Sequence, residues 1–445
     1  MKKISLKKLI LASAISLAPV VNAVADENVN EYGSDPKISD LALIYAGNSN
    51  RPAWTKEHLR PYVTHVYADG HEDWFFDGFL FLEFSHGDVS YGNGSGKNPA
   101  LQSDWQWLLD EYFKKDYKLD ALDQLITDKK AELGEPPLRH RVVITCCAPT
   151  KLPNGNWSRK KWGTVDGKDL TLNVRGHRID AVKWYIDELL AKWDAANFKN
   201  LDLEGIYWIE EGLFTNGEIM AEINDYVHSK GLRSYWIPYY TDNQKYWSQW
   251  KDGYNFDMCY IQPNYAFLDN SGATKPFSLL TNTVDAAKSY GMGLELEFET
   301  QAKSNALHSV NPILHQHIND YMDVFDEKGV FDRAGVAYYT GTQGLIHMDQ
   351  STDSVDHATI DRMAGYVSAR QKAKRDAAGV SEVIIDGNRE PIAYAEEGRI
   401  VLAADTCCHD VSGRLLYTGA GSFQCQSGLY IVSDIQGRTM KLLVK

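Results

Sequence analysis

Long apolar runs are nearly absent from this chain. Beyond its first residues no stretch of about twenty apolar residues occurs, so no membrane-spanning helix is expected in the mature protein. Basic residues are the minority: 46 Lys and Arg against 60 Asp and Glu give a net charge of −14. An acidic surface repels a phosphate backbone, which argues against nucleic acid as a partner. The segment "YGNGSGKN" (91–98) is rich in glycine but has neither the G-x-G-x-x-G nor the Walker spacing, and reads as a flexible loop. No nucleophile elbow or Ser-His-Asp order is visible. Neither an internal repeat nor a low-complexity tract interrupts the 445 residues.

Cysteine is scarce as well. None of the six has metal-ligand spacing, and no metal or cofactor is expected. Cys146-Cys147 and Cys407-Cys408 are adjacent pairs whose side chains would leave a strand on opposite faces, so neither pair need bond internally. Cys425 is a bridging candidate for Cys407 or Cys408, whereas Cys146, Cys147 and Cys259 sit in apolar runs and read as buried thiols. "HQH" (His315 to His317) reads as part of an amphipathic helix rather than a ligand pair.

What is present begins with an address. Lys2, Lys3, Lys7 and Lys8 precede the short apolar run "LILASAISLAPVV" and the small-residue site "VNA" ending at Ala23. This is the layout of a secretory signal peptide over residues 1–23, so a secreted, cell-surface or periplasmic location is expected. No cysteine lies near the cut, and a lipid anchor there is not expected. Aromatics are plentiful, with 12 Trp, 25 Tyr and 15 Phe. Most would fill a core, but some could line a groove where the C–H faces of sugars meet ring faces.

Apolar, strand-like runs alternate with helical patterns from residue 40 to 375. The strand candidates are "DLALIYAG" (40–47), "DGFLFLEF" (77–84), "RVVITCCAP" (141–149), "LEGIYWIEE" (203–211), "RSYWIPYY" (233–240), "FDMCYIQPNY" (256–265), "MGLELEFE" (292–299) and "AGVAYYTG" (334–341). Helical spacing marks 103–113, 179–193, 219–231, 282–291, 311–325 and 356–367. Eight such units predict an α/β fold, a (β/α)8 TIM-type barrel over residues 24–375. A doubly wound open sheet is the rival, but its dinucleotide fingerprint is missing. After the charged connector "ARQKAKRDAAG" (369–379), short β-type runs divided by "DGN", "EEG", "SGR" and "QGR" predict a small β-sandwich over 380–445.

Acidic residues at strand ends carry the functional reading. In "LELEFE", Leu294, Leu296 and Phe298 alternate with Glu295, Glu297 and Glu299. Packed helices cannot accept three charges, so the Glu set should point into the barrel at a spacing of roughly 6.6 Å. Mutual repulsion would then raise at least one pKa. Glu295 and Glu204 suit a buried ion-pair layer at the barrel bottom, within reach of Arg141 and Arg233. Glu297 and Glu299 lie near the C-terminal rim, where active sites of this fold sit, and Glu210 and Glu211 end the fourth strand at the same rim. Two facing carboxylates in different environments are what glycosidic cleavage requires: one donates a proton, the other attacks or activates water. Further rim candidates for substrate binding are Tyr45, Asn48, Glu83, His86, Trp208, Tyr239, Tyr240, Gln262, Asn264, Tyr265 and Tyr339.

The set "SDWQWLLDEYF", "GIYWIEE", "YWIPYY", "QPNYAF" and "LELEFE" resembles a secreted bacterial (Bacteroidetes-type) family catalogued as a domain of unknown function, with a glycoside-hydrolase-like barrel, over residues 38–372. More distantly it is similar to the large glycosidase clan with its acid/base after strand four and its nucleophile after strand seven. That resemblance implies a retaining glycosidase with Glu210 or Glu211 as proton donor and Glu297 or Glu299 as nucleophile, the pair Glu211 and Glu297 preferred. "EGRIVL", "HDVSGRLL", "SGLYIV" and "GRTMKLLVK" resemble the sorting domain of the type IX secretion route, which implies secretion machinery as a partner. A non-catalytic carbohydrate-binding surface protein on the same scaffold is the alternative. A polysaccharide lyase or esterase is a third.

Overall fold

Each of the eight strand-forming runs forms a strand in the computed structural model of the protein, and all eight pair in parallel. The structure describes residues 31–33, 36–92, 98–150, 161–213, 215–241, 244–269, 271–298 and 312–377, then 393–396, 399–402, 406–410, 414–425, 428–434 and 439–444. The expected signal peptide, Glu299 and most of the glycine-rich loop lie outside these residues. The strands are Asp40–Tyr45 (β1), Gly78–Leu82 (β2), His140–Cys146 (β3), Leu201–Trp208 (β4), Arg233–Trp236 (β5), Met258–Ile261 (β6), Gly293–Glu297 (β7) and Val336–Tyr339 (β8). They close into a barrel in the order β1-β8-β7-β6-β5-β4-β3-β2. Closure is made by β1, which pairs Leu41 with Gly78 on one side and Asp40 with Val336 on the other. The protein is a (β/α)8 barrel followed by a small β unit, and the chain divides into compact units at Arg370/Gln371.

The longer helices between strands are Lys56–Val63 (α1), Gln102–Tyr112 (α2), Lys118–Leu133 (α3), Arg175–Ala196 (α4), Gly217–Ser229 (α5), Ser278–Ser289 (α6) and Pro312–Glu327 (α7), with Ser354–Ala377 (α8) after β8. Their apolar stripes cover the barrel wall. In α4 these are Ile179, Val182, Tyr185, Ile186 and Leu189, all buried. Each aliphatic side chain so buried contributes about 1.5–3 kcal/mol. "HQH" lies on α7, where His315 and His317 are buried and the Nδ1 of His317 meets the Ala266 carbonyl at 3.0 Å. The stretch expected as a connector is instead the last part of α8 as far as Ala377. Gln, Lys, Arg and Ala are good helix formers, and no Gly or Pro breaks the run before Gly379. Among the described residues no helix is long and apolar enough to cross a membrane.

Several buried charges of the barrel unit are paired. Arg370 on α8 reaches the fully buried Asp40 at 3.1 Å, and the hydroxyl of Tyr338 donates to the same carboxylate at 2.8 Å. At the N-terminal end of the strands Glu204 takes Arg141 and, at 3.5 Å, Arg233. The expected ion-pair layer therefore exists around Glu204. Glu295 is not part of it and opens into the cavity described below. Glu204 sits where the β3–β4 register shifts between Leu203 and Gly205. Only glycine fits at 205, since a Cβ there would stand 2.2 Å from the carbonyl oxygen of Arg233.

Among its described residues the C-terminal unit holds seven antiparallel strands in a three-stranded and a four-stranded sheet. Ala393, Ile400 and Leu402 of one sheet and Cys408, Tyr430 and Val432 of the other share one core, the arrangement of a sandwich. None of the six cysteines is in a disulfide, so the expected bridge from Cys425 is not formed. Alternation places Cys408 in the core, where burial pushes its thiol up to about 11, and turns Cys407 away from it.

Candidate active site

A cavity of about 500 Å³ opens at the C-terminal end of the barrel strands. Residues of one phase on six of the strands or in the loops after them line it: Leu43 and Tyr45 from β1, Tyr207 from β4 and Glu211 after it, Ile237 and Tyr239 after β5, Gln262, Asn264 and Phe267 after β6, Glu295 and Glu297 from β7, and Tyr339 from β8. Arg51, Phe84 and Thr342 complete the wall. The alternation in "LELEFE" folds as its chemistry requires. Leu294 and Leu296 are fully buried in the hydrophobic core, while Glu295 and Glu297 face inward.

The three lining carboxyls differ in support. Glu297 is 1% exposed, and burial pushes its pKa up to about 7. The hydroxyl of Tyr321 on α7, the backbone N–H of Asn264 and the Lys275 ammonium pull it back, and Glu211 adds to the rise. Asn264 makes that contact from a left-handed conformation (φ 57°), and its carbonyl accepts from Lys275 Nζ at 2.7 Å. Such conformations concentrate at functional sites. Glu211 is partly exposed; burial raises its pKa and a hydrogen bond from Gln262 lowers it. Glu295, 3% exposed, is raised well above the usual carboxylate range by burial and then by Glu297 and Glu211.

Aromatic rings frame the acids. Tyr45 and Tyr339 meet edge to face at 5.7 Å, Phe267 packs on Tyr339 at 5.7 Å, and Phe84 lies 6.1 Å from Tyr45. The guanidinium of Arg51 lies 4.9 Å from the centre of the Tyr45 ring. Its Nε and Nη2 donate to the two oxygens of fully buried Glu83 at 2.8 and 2.9 Å, and its Nη1 donates to Thr342 at 2.8 Å.

Of the residues the sequence singled out, Glu211, Glu297, Tyr45, Tyr239, Gln262, Asn264 and Tyr339 come together on this cavity. Glu210, Trp208, Glu83 and His86 do not line it. Glu210 points behind the wall, where Trp208 Nε1 (3.2 Å), Asn216 Nδ2 (2.8 Å) and Thr215 Oγ1 (3.1 Å) donate to its buried carboxyl. Glu83 acts on the cavity only through Arg51, and His86 packs its ring 3.9 Å from that of Trp107. Arg51, Tyr207, Thr342 and Tyr321 were missed. Tyr207 had a signal, because it stands four residues before Glu211, in the same phase of the alternation that leads out of β4. Arg51 and Thr342 lie in loops with no periodicity to read, and Tyr321 looked like any apolar-face residue of α7.

The residues that hold the site lie within a family match. The profile of the family described as "Domain of unknown function (DUF4855)" matches residues 40–365. Among solved structures, the tryptophan synthase α-subunit of Pyrococcus furiosus is similar at 9% identity and a TM-score of 0.34, covering 74% of this chain and 99% of its own. An Anoxybacillus α-amylase is similar at 11% identity and a TM-score of 0.35, covering 92% of this chain and 98% of its own. Likenesses this slight carry no argument about activity. A search of curated proteins finds no match.

Proposed function

We infer the function from the cavity, because the chain belongs to the family described as a domain of unknown function (DUF4855), a description that names no reaction. The proposed activity is glycoside hydrolysis with Glu211 as proton donor and Glu297 as nucleophile. One observation carries it: acids from the ends of β4 and β7 converge on one aromatic-walled cavity, each in its own electrostatic environment. Tyr321, the Asn264 N–H and Lys275 favour the ionised form of Glu297, which suits it to bear charge. Burial favours the protonated form of Glu211.

In the first step Glu211 gives its proton to the glycosidic oxygen as the bond to the anomeric carbon breaks. A carboxylate oxygen of Glu297 bonds to that carbon. Glu211, now ionised, takes a proton from water in the second step. The hydroxide attacks the anomeric carbon and releases Glu297. Tyr45, Tyr239, Tyr339 and Phe267 offer faces on which pyranose rings stack. The exported location read from the N-terminal residues fits a polymeric substrate met outside the cytoplasm.

The test is incubation of the mature protein with plant and host polysaccharides, followed by chromatography of the products. Cleavage by the parent together with a loss of at least about a hundredfold in Glu211→Gln and Glu297→Gln is expected. Parent-like cleavage by both variants overturns the assignment. Glycan binding in calorimetry without cleavage by the parent would make the protein a carbohydrate-binding barrel instead.

A further inference from the structure

The two-carboxylate reaction leaves one acid of the cavity without a role. Glu295 lies two residues before Glu297 on the same strand face, is 3% exposed and lines the cavity. Among the described residues no hydrogen bond or ion pair engages its carboxyl, whereas Glu204, Glu83 and Asp40 each hold a cation and Glu210 holds hydrogen-bond donors. The titratable groups that face it are Glu211, Glu297, Tyr45, Tyr207 and Tyr321, none of them cationic. Arg51 is the cation among the described lining residues, and both oxygens of Glu83 already hold it.

Resting on the hydrolase reading above, we propose that Glu295 is the floor of a subsite for an ammonium group, and that the substrate is a glycan with free amino sugars. A buried acid without a partner is costly unless it stays neutral or meets a cation. In the empty cavity burial and the two neighbouring acids oppose ionisation of Glu295 and favour its protonated form. A hexosamine ammonium entering the cavity replaces that proton: the carboxyl gives H⁺ to solvent, and the carboxylate pairs with R–NH₃⁺. Total charge is conserved. A sugar hydroxyl would be served equally well by an amide such as Gln262 or Asn264, both already at the wall; the acid adds selectivity for a cation. The chain's net charge of −14 also draws a polycation toward it.

The experiment uses hexosamine polymers of gluco and galacto configuration, each in fully N-acetylated and partly de-N-acetylated form, with the parent and Glu295→Gln. The parent should favour the de-N-acetylated polymer, and the ratio of kcat/KM values should fall at least about tenfold in Glu295→Gln. Calorimetry of the parent with glucosamine and galactosamine in two buffers of different ionisation heat should report about one proton released on binding, absent with the N-acetyl sugars. Equal use of both polymers, a ratio unmoved by Glu295→Gln, or binding without proton release overturns the ammonium subsite. Cleavage of neutral glycans that still requires Glu211 and Glu297 would leave the hydrolase reading standing without it. Amine binding with proton release but no cleavage would remove the hydrolase reading and keep the subsite.

Discussion

Replacing Glu297 by Gln should make the protein more stable while it destroys the proposed catalysis, and the gain should depend on pH. Burial pushes this carboxyl from 4.5 to about 7. A folded pKa above the unfolded one means that the native state binds more protons between those values, so its stability falls as pH rises from 4.5 to about 7 and is level above. At pH 8 the native state therefore bears the full difference, about 3 kcal/mol at 1.36 kcal/mol per decade. Glutamine is isosteric, never ionises and can still accept from Tyr321. Glu297→Gln should thus gain about 3 kcal/mol at pH 8 and under about 0.5 kcal/mol at pH 4, where both side chains are neutral in both states. Removing one charge also eases Glu295 and Glu211, so part of the gain is shared with them. With about 2 cal/mol/K of unfolding entropy per residue over a barrel of roughly 330 residues, Tm should rise about 4 °C at pH 8. Scanning calorimetry of parent and variant at the two pH values measures it. A variant no more stable than the parent at pH 8, or a gain equal at both, refutes the reasoning.

Tyr321→Phe removes a hydrogen bond that favours the Glu297 carboxylate, so its pKa should rise further above about 7. Because the nucleophile must be ionised, the acidic limb of the kcat/KM profile should move to higher pH, which a pH–rate series on any cleaved glycan reads directly. Arg51→Met strands the fully buried Glu83 and should cost about 3–5 kcal/mol in urea unfolding, with Glu83→Gln in the same chain recovering most of it. Arg370→Met likewise leaves Asp40 at the wall behind β1 without its cation, and a loss of about 3–5 kcal/mol is expected in the same measurement.

The barrel was legible because both of its periodicities are written plainly. All eight strand runs and all six marked helical segments fall on observed elements, and Glu295 and Glu297 face inward because three charges cannot pack against helices. Where the sequence misled, a local property was overridden or hidden. Two of the longer helices went unread. Pro61 inside α1 argues against a helix there, while α3 had its signal in Leu119, Leu122, Leu125 and Ile126. The last part of α8 was taken for a linker because its exposed face is charged. The support around Glu297 comes from α7 and from the loop after β6, and no spacing in one dimension foretells that Tyr321 and Lys275 meet the same acid.

The adjacent acids Glu210 and Glu211 show how one residue of phase decides a site. Strict alternation counted from the apolar Leu201 and Leu203 sends 202, 204, 206, 208 and 210 into the barrel, which makes Trp208 and Glu210 the natural candidates. The bulge between Leu203 and Gly205 inserts one residue and reverses the phase, so Tyr207 and Glu211 face the cavity while Trp208 and Glu210 meet each other behind the wall. The bulge is held by Glu204, drawn between Arg141 and Arg233, and by a glycine where a Cβ would strike the next strand. The ion pairs at the closed end of the barrel therefore help choose which carboxylate stands at the open end. Their signature was in the sequence as "EG" after two leucines, but an acid followed by glycine reads equally well as a turn until its neighbouring strands are known.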